Sequence, residues 1–306
     1  MLKGEKILIT GAAGRVAFPI ARRLAQENLV YGMARFTKPA DREKLVAHGI
    51  TPLQKDLGKG SFDDLPGDIT YIFHAGAAIS KEASLDWQWA FEVNAHATGR
   101  LMSRYKSGKL KGFVYCSTGS QYDYQGHRPL KESDRPGLHN HNYSLSKIAG
   151  EAVVNFASSQ WNIPTTIIRI FSTYGPTGGA PYDRMKAIVE GREVALYPDK
   201  PNNYNPIFED DYVDLGIRAM EVARTPALTV NWSGSETVSA EDYCEYIGKL
   251  VGKKPKIVYN NTAYWPIWPD TTLMHQVLGR TKVHWQDGFK RMVQAAYPEM
   301  KLNDAP

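Results

Sequence analysis

The chain has 306 residues, of which 42% are hydrophobic and 23% charged, a balance that suits a globular α/β core with a smaller lobe. Its formal net charge of +5 comes without a long Lys/Arg run, which removes nucleic acid as the default partner. Two cysteines, Cys116 and Cys244, exclude a disulfide framework and a thiolate metal site. The N-terminus is strand-like instead of a signal peptide, and no run is long enough to span a bilayer, so the expectation is a cytoplasmic, metal-free protein without a membrane partner.

Residues 6–10 form a short apolar run that reads as a buried parallel strand. It feeds Gly11-Ala12-Ala13-Gly14-Arg15-Val16-Ala17. A helical pattern follows through about Asn28, with Ile20, Ala21, Leu24 and Ala25 on one face and Pro19 near the start, where proline is tolerated. Strand, glycine turn and helix are the context in which such glycines bind a dinucleotide. Gly11 permits the turn, Gly14 lets the backbone approach a pyrophosphate, Ala17 keeps the helix close, and the helix N-terminus offers unpaired N–H groups. The second strand, 30–34, ends in Ala34-Arg35-Phe36 with no acid to hold a ribose 2′-hydroxyl. Arg35, with Arg15 from the turn, suits a 2′-phosphate, so NADP(H) is favoured and NAD(H) is the other possibility.

After an exposed helix at 41–47, residues 51–57 read as a third strand ending on Asp56 and Leu57, an acceptor for an adenine amino group and an apolar contact for its ring. Residues 69–74 form another strand. Ala75-Gly76-Ala77-Ala78 are small enough for a cofactor to lie on the backbone, and His74 reads as a packed histidine. A helical stretch with Trp87, Trp89, Phe91 and Val93 runs to about Lys106 and carries Asn94, which needs partners if buried. Strand 112–116 ends in Ser117-Thr118. A hydroxyl at the C-terminal end of a parallel strand faces the ligand crevice, which places Thr118 to bond a substrate oxygen. The loop 123–142 has three histidines and reads as a cleft mouth; His139-Asn140-His141 lacks further ligands at metal spacing.

Tyr143 opens the next helix and brings Lys147 onto the same face one turn on. A nearby ammonium lowers a phenol from its ordinary value near 10, which makes the pair an acid/base group. Strand and helix alternate through 165–171, predicting a Rossmann-type doubly wound parallel sheet, an α/β fold, over residues 1–175. A smaller substrate-binding lobe spans 176–306, with 207–232 returning to the core. In the lobe, 182–191 and 239–251 read as helices, the second with a Ser239 cap and Glu241 and Asp242 in its first turn. Trp265, Ile267 and Trp268 line an apolar pocket or pack the lobe.

The segments 10–17, 56–57, 74–78, Asn94, Ser117-Thr118, 143–147 and Arg169-Ile170-Phe171-Ser172-Thr173-Tyr174-Gly175-Pro176, in this order and spacing, resemble the extended short-chain dehydrogenase/reductase family, its NAD(P)-dependent epimerase/dehydratase group. The resemblance covers nearly the whole chain. It implies Thr118, Tyr143 and Lys147 as the catalytic set, with Lys147 also holding the nicotinamide ribose. It implies Gly11, Ala13, Gly14, Arg15, Val16, Arg35, Asp56, Leu57, Ala75, Gly76, Ala77 and Asn94, together with Tyr143 and Lys147, at the cofactor. It also implies a homodimer through paired helices near 85–105 and 143–156.

Two departures count against a sugar nucleotide. Many such members carry Asn where Ser172 stands. They also carry an arginine, paired with the substrate diphosphate, shortly before the segment matching Phe208 to Asp214, where this chain reads Asn203-Tyr204-Asn205-Pro206-Ile207. The expectation is therefore an NADP-preferring oxidoreductase acting on a small or hydrophobic carbonyl or alcohol. The alternative is an NAD-dependent sugar-nucleotide epimerase/dehydratase. A cofactor-sensing protein without chemistry has no need for Thr118, Tyr143 and Lys147 together.

Overall fold

The computed structural model describes residues 2–79, 83, 85–137 and 141–304, which leaves His139 and Asn140 of the loop outside the described residues. In chain order the elements are β1 (Lys6–Thr10), α1 (Ala17–Leu24), β2 (Leu29–Ala34), α2 (Pro39–Val46), β3 (Thr51–Gln54), β4 (Tyr71–His74), α3 (Trp87–Phe91), α4 (Ala97–Arg104), β5 (Gly112–Thr118), α5 (Asn142–Trp161), β6 (Thr165–Ile170), β7 (Thr173–Tyr174), α6 (Ala180–Val189), β8 (Glu193–Leu196), β9 (Asn203–Tyr204), β10 (Ile207–Phe208), α7 (Glu209–Glu221), β11 (Leu228–Trp232), β12 (Val238–Ser239), α8 (Ala240–Val251), β13 (Lys256–Tyr259), α9 (Thr272–Val277) and α10 (Trp285–Ala296). They form two compact units. Residues 1–121, 135–169 and 213–230 make the first; 122–134, 170–212 and 231–306 make the second.

The first unit carries a Rossmann-type sheet of seven strands in the order β11-β6-β5-β4-β1-β2-β3. β1 pairs in parallel with β2 and β4, β2 with β3, and β4 with β5. Ile7, Leu8, Ile9, Ile72, Phe73, Phe113 and Val114 are fully buried, which is why these strands read as continuous apolar runs. The strand order reverses between β1 and β4, and the crevice at that switch point is where ligands bind in such sheets.

The turn after β1 closes with Gly14 N–H on the Gly11 carbonyl at 2.8 Å, and Phe18 N–H on the Gly14 carbonyl at 2.9 Å starts α1. The helix stops at Leu24, short of Asn28, because the Asn28 amide caps the Leu24 carbonyl at 2.9 Å while its Oδ1 accepts from Glu5 N–H at 3.0 Å. Apolar periodicity overran here because it does not register a side chain that satisfies a terminal carbonyl. The single helix expected up to Lys106 is two, joined by a π turn at Glu92–His96. That turn leaves the Asn94 carbonyl free to accept from Tyr115 Oη at 3.0 Å and Thr98 Oγ1 at 3.1 Å. α5 packs directly on it, since a Cβ at Gly150 would fall 2.4 Å from the Asn94 oxygen.

The second unit buries Met185, Tyr243, Ile247 and Phe289, with Phe289 stacked on Tyr174 at 4.7 Å and on Tyr243 at 4.9 Å. Short strand pairs β7–β10, β9–β12 and β8–β13 complete it. α8 starts at its Ser239 cap, whose Oγ accepts from Asp242 N–H at 3.0 Å. Among the described residues no helix is long and apolar enough to cross a membrane.

Candidate active site

Gly11 sits at φ +65°, and a Cβ there would come within 2.8 Å of Gly76 Cα. The turns after β1 and β4 therefore meet backbone to backbone, a closeness only glycine allows. Around this point lies a cavity of about 280 Å³. Gly11, Ala13 and Gly14 wall it from the first turn, Ala75, Gly76 and Ala77 from the β4 turn, Asp56 and Leu57 from the end of β3, and Arg35 from the end of β2. Arg15 and Val16 are not among its walls, and Arg15 is exposed. Among the further walls that escaped the reading of the sequence are two charged ones, Lys55 and Asp41. Asp41 lies in the first turn of α2; its signal was an acid at a helix start, set seven residues beyond the position where an acid was sought. A floor of small residues and main chain, with carboxylate and guanidinium at one end, fits a dinucleotide.

Behind the floor runs a directional hydrogen-bond chain. Gly76 N–H donates to Thr10 Oγ1 at 2.9 Å, and Thr10 Oγ1 lies 2.7 Å from His74 Nδ1. His74 Nε2 lies 2.9 Å from Thr98 Oγ1, which donates to the Asn94 carbonyl. With Thr98 donating onward, His74 donates from Nε2; because burial keeps the ring neutral, its Nδ1 accepts from Thr10 Oγ1. Burial first, and then the Lys147 charge, push His74 down to about 3. Asn94 is 1% exposed, and its side chain clamps Ala78 at both N–H and carbonyl, each at 2.9 Å, while also donating to Ser146 Oγ at 2.9 Å. It thus ties the cofactor-side loop to α5.

Thr118 ends β5, and a side-chain hydrogen bond joins it to the Tyr143 phenol. Lys147, one turn along α5, is 1% exposed, and its Nζ stands 4.0 Å from the Tyr115 ring centroid. Burial pushes Lys147 down to about 8, against the pull of Cys116 and Glu151. The phenol itself is raised, chiefly by burial; the Thr118 hydrogen bond opposes this and Cys116 adds to it. The expected lowering of Tyr143 by Lys147 is absent, because the ammonium faces the Tyr115 ring and does not figure among the groups acting on the phenol. One turn further, Glu151 receives Arg169 Nε at 3.0 Å, Arg169 Nη2 at 2.8 Å and Gln121 Nε2 at 2.7 Å. A carboxylate so engaged fastens α5 to β6 and is no base.

In the second unit, Arg184 of α6 is half-buried and has phenols for partners. It bonds Tyr243 Oη, reaches Tyr204 Oη at 3.5 Å, and lies over the Tyr204 ring at 5.0 Å from the centroid. No carboxylate pairs with it among the described residues. Trp268 is 6% exposed and packs, while Trp265 is half-buried beside the Tyr124 ring at 6.4 Å. Among the described residues no group of three or more His, Cys, Asp or Glu is placed to hold a metal.

A model of the NAD dependent epimerase/dehydratase family matches residues 7–231. The probable UDP-glucuronate 4-epimerase of Rhizobium meliloti is 24% identical, over 81% of this chain and 83% of its own. The UDP-glucuronic acid 4-epimerase of Bacillus cereus, solved in complex with NAD, shares the fold at a TM-score of 0.80 and 22% identity, over 96% of this chain and 98% of that one. The UDP-N-acetylglucosamine 4-epimerase of Methanobrevibacter ruminantium does so at 0.85 and 17% identity, over 98% and 100%.

Proposed function

Because this chain belongs to the NAD dependent epimerase/dehydratase family, we propose that it is an NAD-dependent epimerase or dehydratase of UDP-sugars, working through a transient ketone. This is the alternative of the two sequence readings. The preferred one, an NADP-linked oxidoreductase of a small or hydrophobic carbonyl, rested on Ser172 in place of an Asn, a departure that stands, and on two further missing groups. One was an acid at the adenosine ribose; Asp41 now stands on the cavity wall. The other was a cation in the segment before Phe208. The observation that carries the present reading is Arg184, whose guanidinium lies over Tyr204 in that segment without a carboxylate partner among the described residues. A permanently charged fork among phenols suits a diphosphate or carboxylate. The relatives named for UDP-sugars, one solved with NAD, support the same substrate class and NAD over NADP.

In this reading the backbone at Gly11, Gly14 and Gly76 holds the pyrophosphate, Asp41 and Arg35 the adenosine ribose, and Asp56 and Leu57 the adenine. Bound NAD supplies the hydride acceptor and, once reduced, the donor. Tyr143 removes the proton from the reacting hydroxyl and returns it to the oxygen. Thr118 donates a hydrogen bond to the same oxygen. Lys147, balanced between ammonium and amine near pH 8, carries compensating charge at the site. The chain also forms a homodimer here, using the exposed Trp87 and Phe156 of α3 and α5, at 59% and 58% exposure; sedimentation giving only a monomer at micromolar concentration would remove this part.

The test is incubation with UDP-glucose, UDP-glucuronic acid and UDP-N-acetylglucosamine, with product separation by anion exchange and absorbance at the reduced-nicotinamide band. A new epimer or keto-sugar without net cofactor reduction is expected. Inert UDP-sugars together with stoichiometric NADPH consumption on small ketones would return the oxidoreductase reading.

A further inference from the structure

Beyond Thr118, a run of hydroxyls leads away from the catalytic phenol. Thr118 Oγ1 lies 2.9 Å from Ser120 Oγ and accepts from Ser120 N–H at 3.1 Å. Ser120 Oγ lies 2.9 Å from Ser144 Oγ, and Ser144 Oγ donates to the Ser120 carbonyl at 3.1 Å. Ser144 is fully buried and follows Tyr143 directly in α5; Ser120 sits in the 3-10 turn Gly119–Gln121. Each hydroxyl has a single proton, so the directions can be worked out. A carbonyl only accepts, so the Ser144 proton goes to the Ser120 carbonyl. The Ser120 proton then goes to Ser144, the Thr118 proton to Ser120, and Tyr143 is left as donor to Thr118.

The opposite direction is open at the cost of one bond. Ser144 swings its proton to Ser120 Oγ, Ser120 donates to Thr118, and Thr118 is free to donate to the phenolate or to a substrate oxygen. Only the Ser144 bond to the Ser120 carbonyl is lost. No proton leaves the chain in this reversal; three rotors turn. We propose that Ser120 and Ser144 are positioning residues, a hydrogen-bond switch that points the Thr118 proton away from Tyr143 while the phenol is protonated and toward the reacting oxygen once it is not. The idea rests on the catalytic reading of Thr118 and Tyr143 but not on the substrate.

The phenol is also faced by Cys116 from β5 and by the His141 ring at 6.0 Å; neither of these changes when a serine is replaced. The measurement is a pH titration of Tyr143 by NMR of 13Cζ-tyrosine protein, with and without NAD, its resonance being the one missing in Tyr143→Phe. Thr118 remains the donor to the phenolate in either variant, but only the wild-type chain must give up a bond to reverse, so Ser120→Ala and Ser144→Ala each lower the midpoint, by about half to one pH unit. Ser120→Thr keeps the hydroxyl and restores the wild-type midpoint, which a purely structural role of Ser120 would not require. Unchanged midpoints in both alanine variants would overturn the proposal. Should Ser144→Ala not fold, Ser120→Ala decides alone, because its Oγ links both neighbours. An absence of UDP-sugar turnover would remove the substrate reading and leave this titration as it stands.

Discussion

The site of the first unit and the Arg184–tyrosine cluster of the second treat charge in opposite ways. Around β1, β4 and α5 three buried groups beside the site are pushed toward their neutral forms, His74 down to about 3, Lys147 down to about 8 and Cys116 up to about 12, chiefly by burial. Around α6 a guanidinium, raised further above its ordinary range by Tyr243 and Tyr204 against the cost of burial, is charged at every accessible pH. Groups that must exchange a proton work best close to neutrality, while a group that only anchors an anion gains from permanence. The contrast supports the proposed division, with proton exchange in the first unit and anion anchoring in the second.

The largest test removes the exchangeable proton. Tyr143→Phe should lower turnover of a UDP-sugar by about 10³-fold with NAD affinity unchanged by calorimetry; normal turnover would break the contrast at its chemical end. Glu151→Ala leaves Arg169 buried without its carboxylate and should cost about 3–5 kcal/mol in denaturant unfolding, much more than any exposed ion pair.

Lys147→Met should lower turnover yet raise the melting temperature at pH 7. Lys147 titrates near 8 when folded against an ordinary 10.5, so between these values the unfolded chain holds more protons and stability rises with pH. The methionine variant escapes that penalty, worth up to about 3 kcal/mol, and its advantage should fade as pH approaches 10.5. Arg184→Ala should raise KM for a UDP-sugar about tenfold or more, with kcat little changed; equal effects on uridine and on UDP-sugars would point to lost packing instead. The smallest expected effect is Asp41→Ala, a few-fold loss of NAD over NADP preference read by titration of the emptied protein.

How legible each region was follows from the range of the interactions that make it. The β1 strand, its glycine turn and the Ser239 cap are local patterns within a few residues, and they stand where the sequence places them. The Asn28 cap and the π turn are also local in space, but each is decided by a partner far along the chain: Leu2 and Glu5 for Asn28, Tyr115 for the Asn94 carbonyl. The missing arginine is the clearest case. A search along 203–207 finds none, yet α6 lays one over Tyr204 from twenty residues upstream. Likewise Asp41 stands on the cavity, although the end of β2 has no acid.

What the sequence determined by itself was the fold class, the family and the glycine turn that walls the first unit's cavity, because strand runs, glycine turns and i to i+4 spacing are properties of neighbours along the chain. The tertiary structure alone decided the electrostatics. Lys147 sits over the Tyr115 ring, His74 is kept neutral by burial between two threonines, and Arg184 lies over the Tyr204 ring. Burial and through-space partners set proton affinity and charge pairing, and neither is written in spacing.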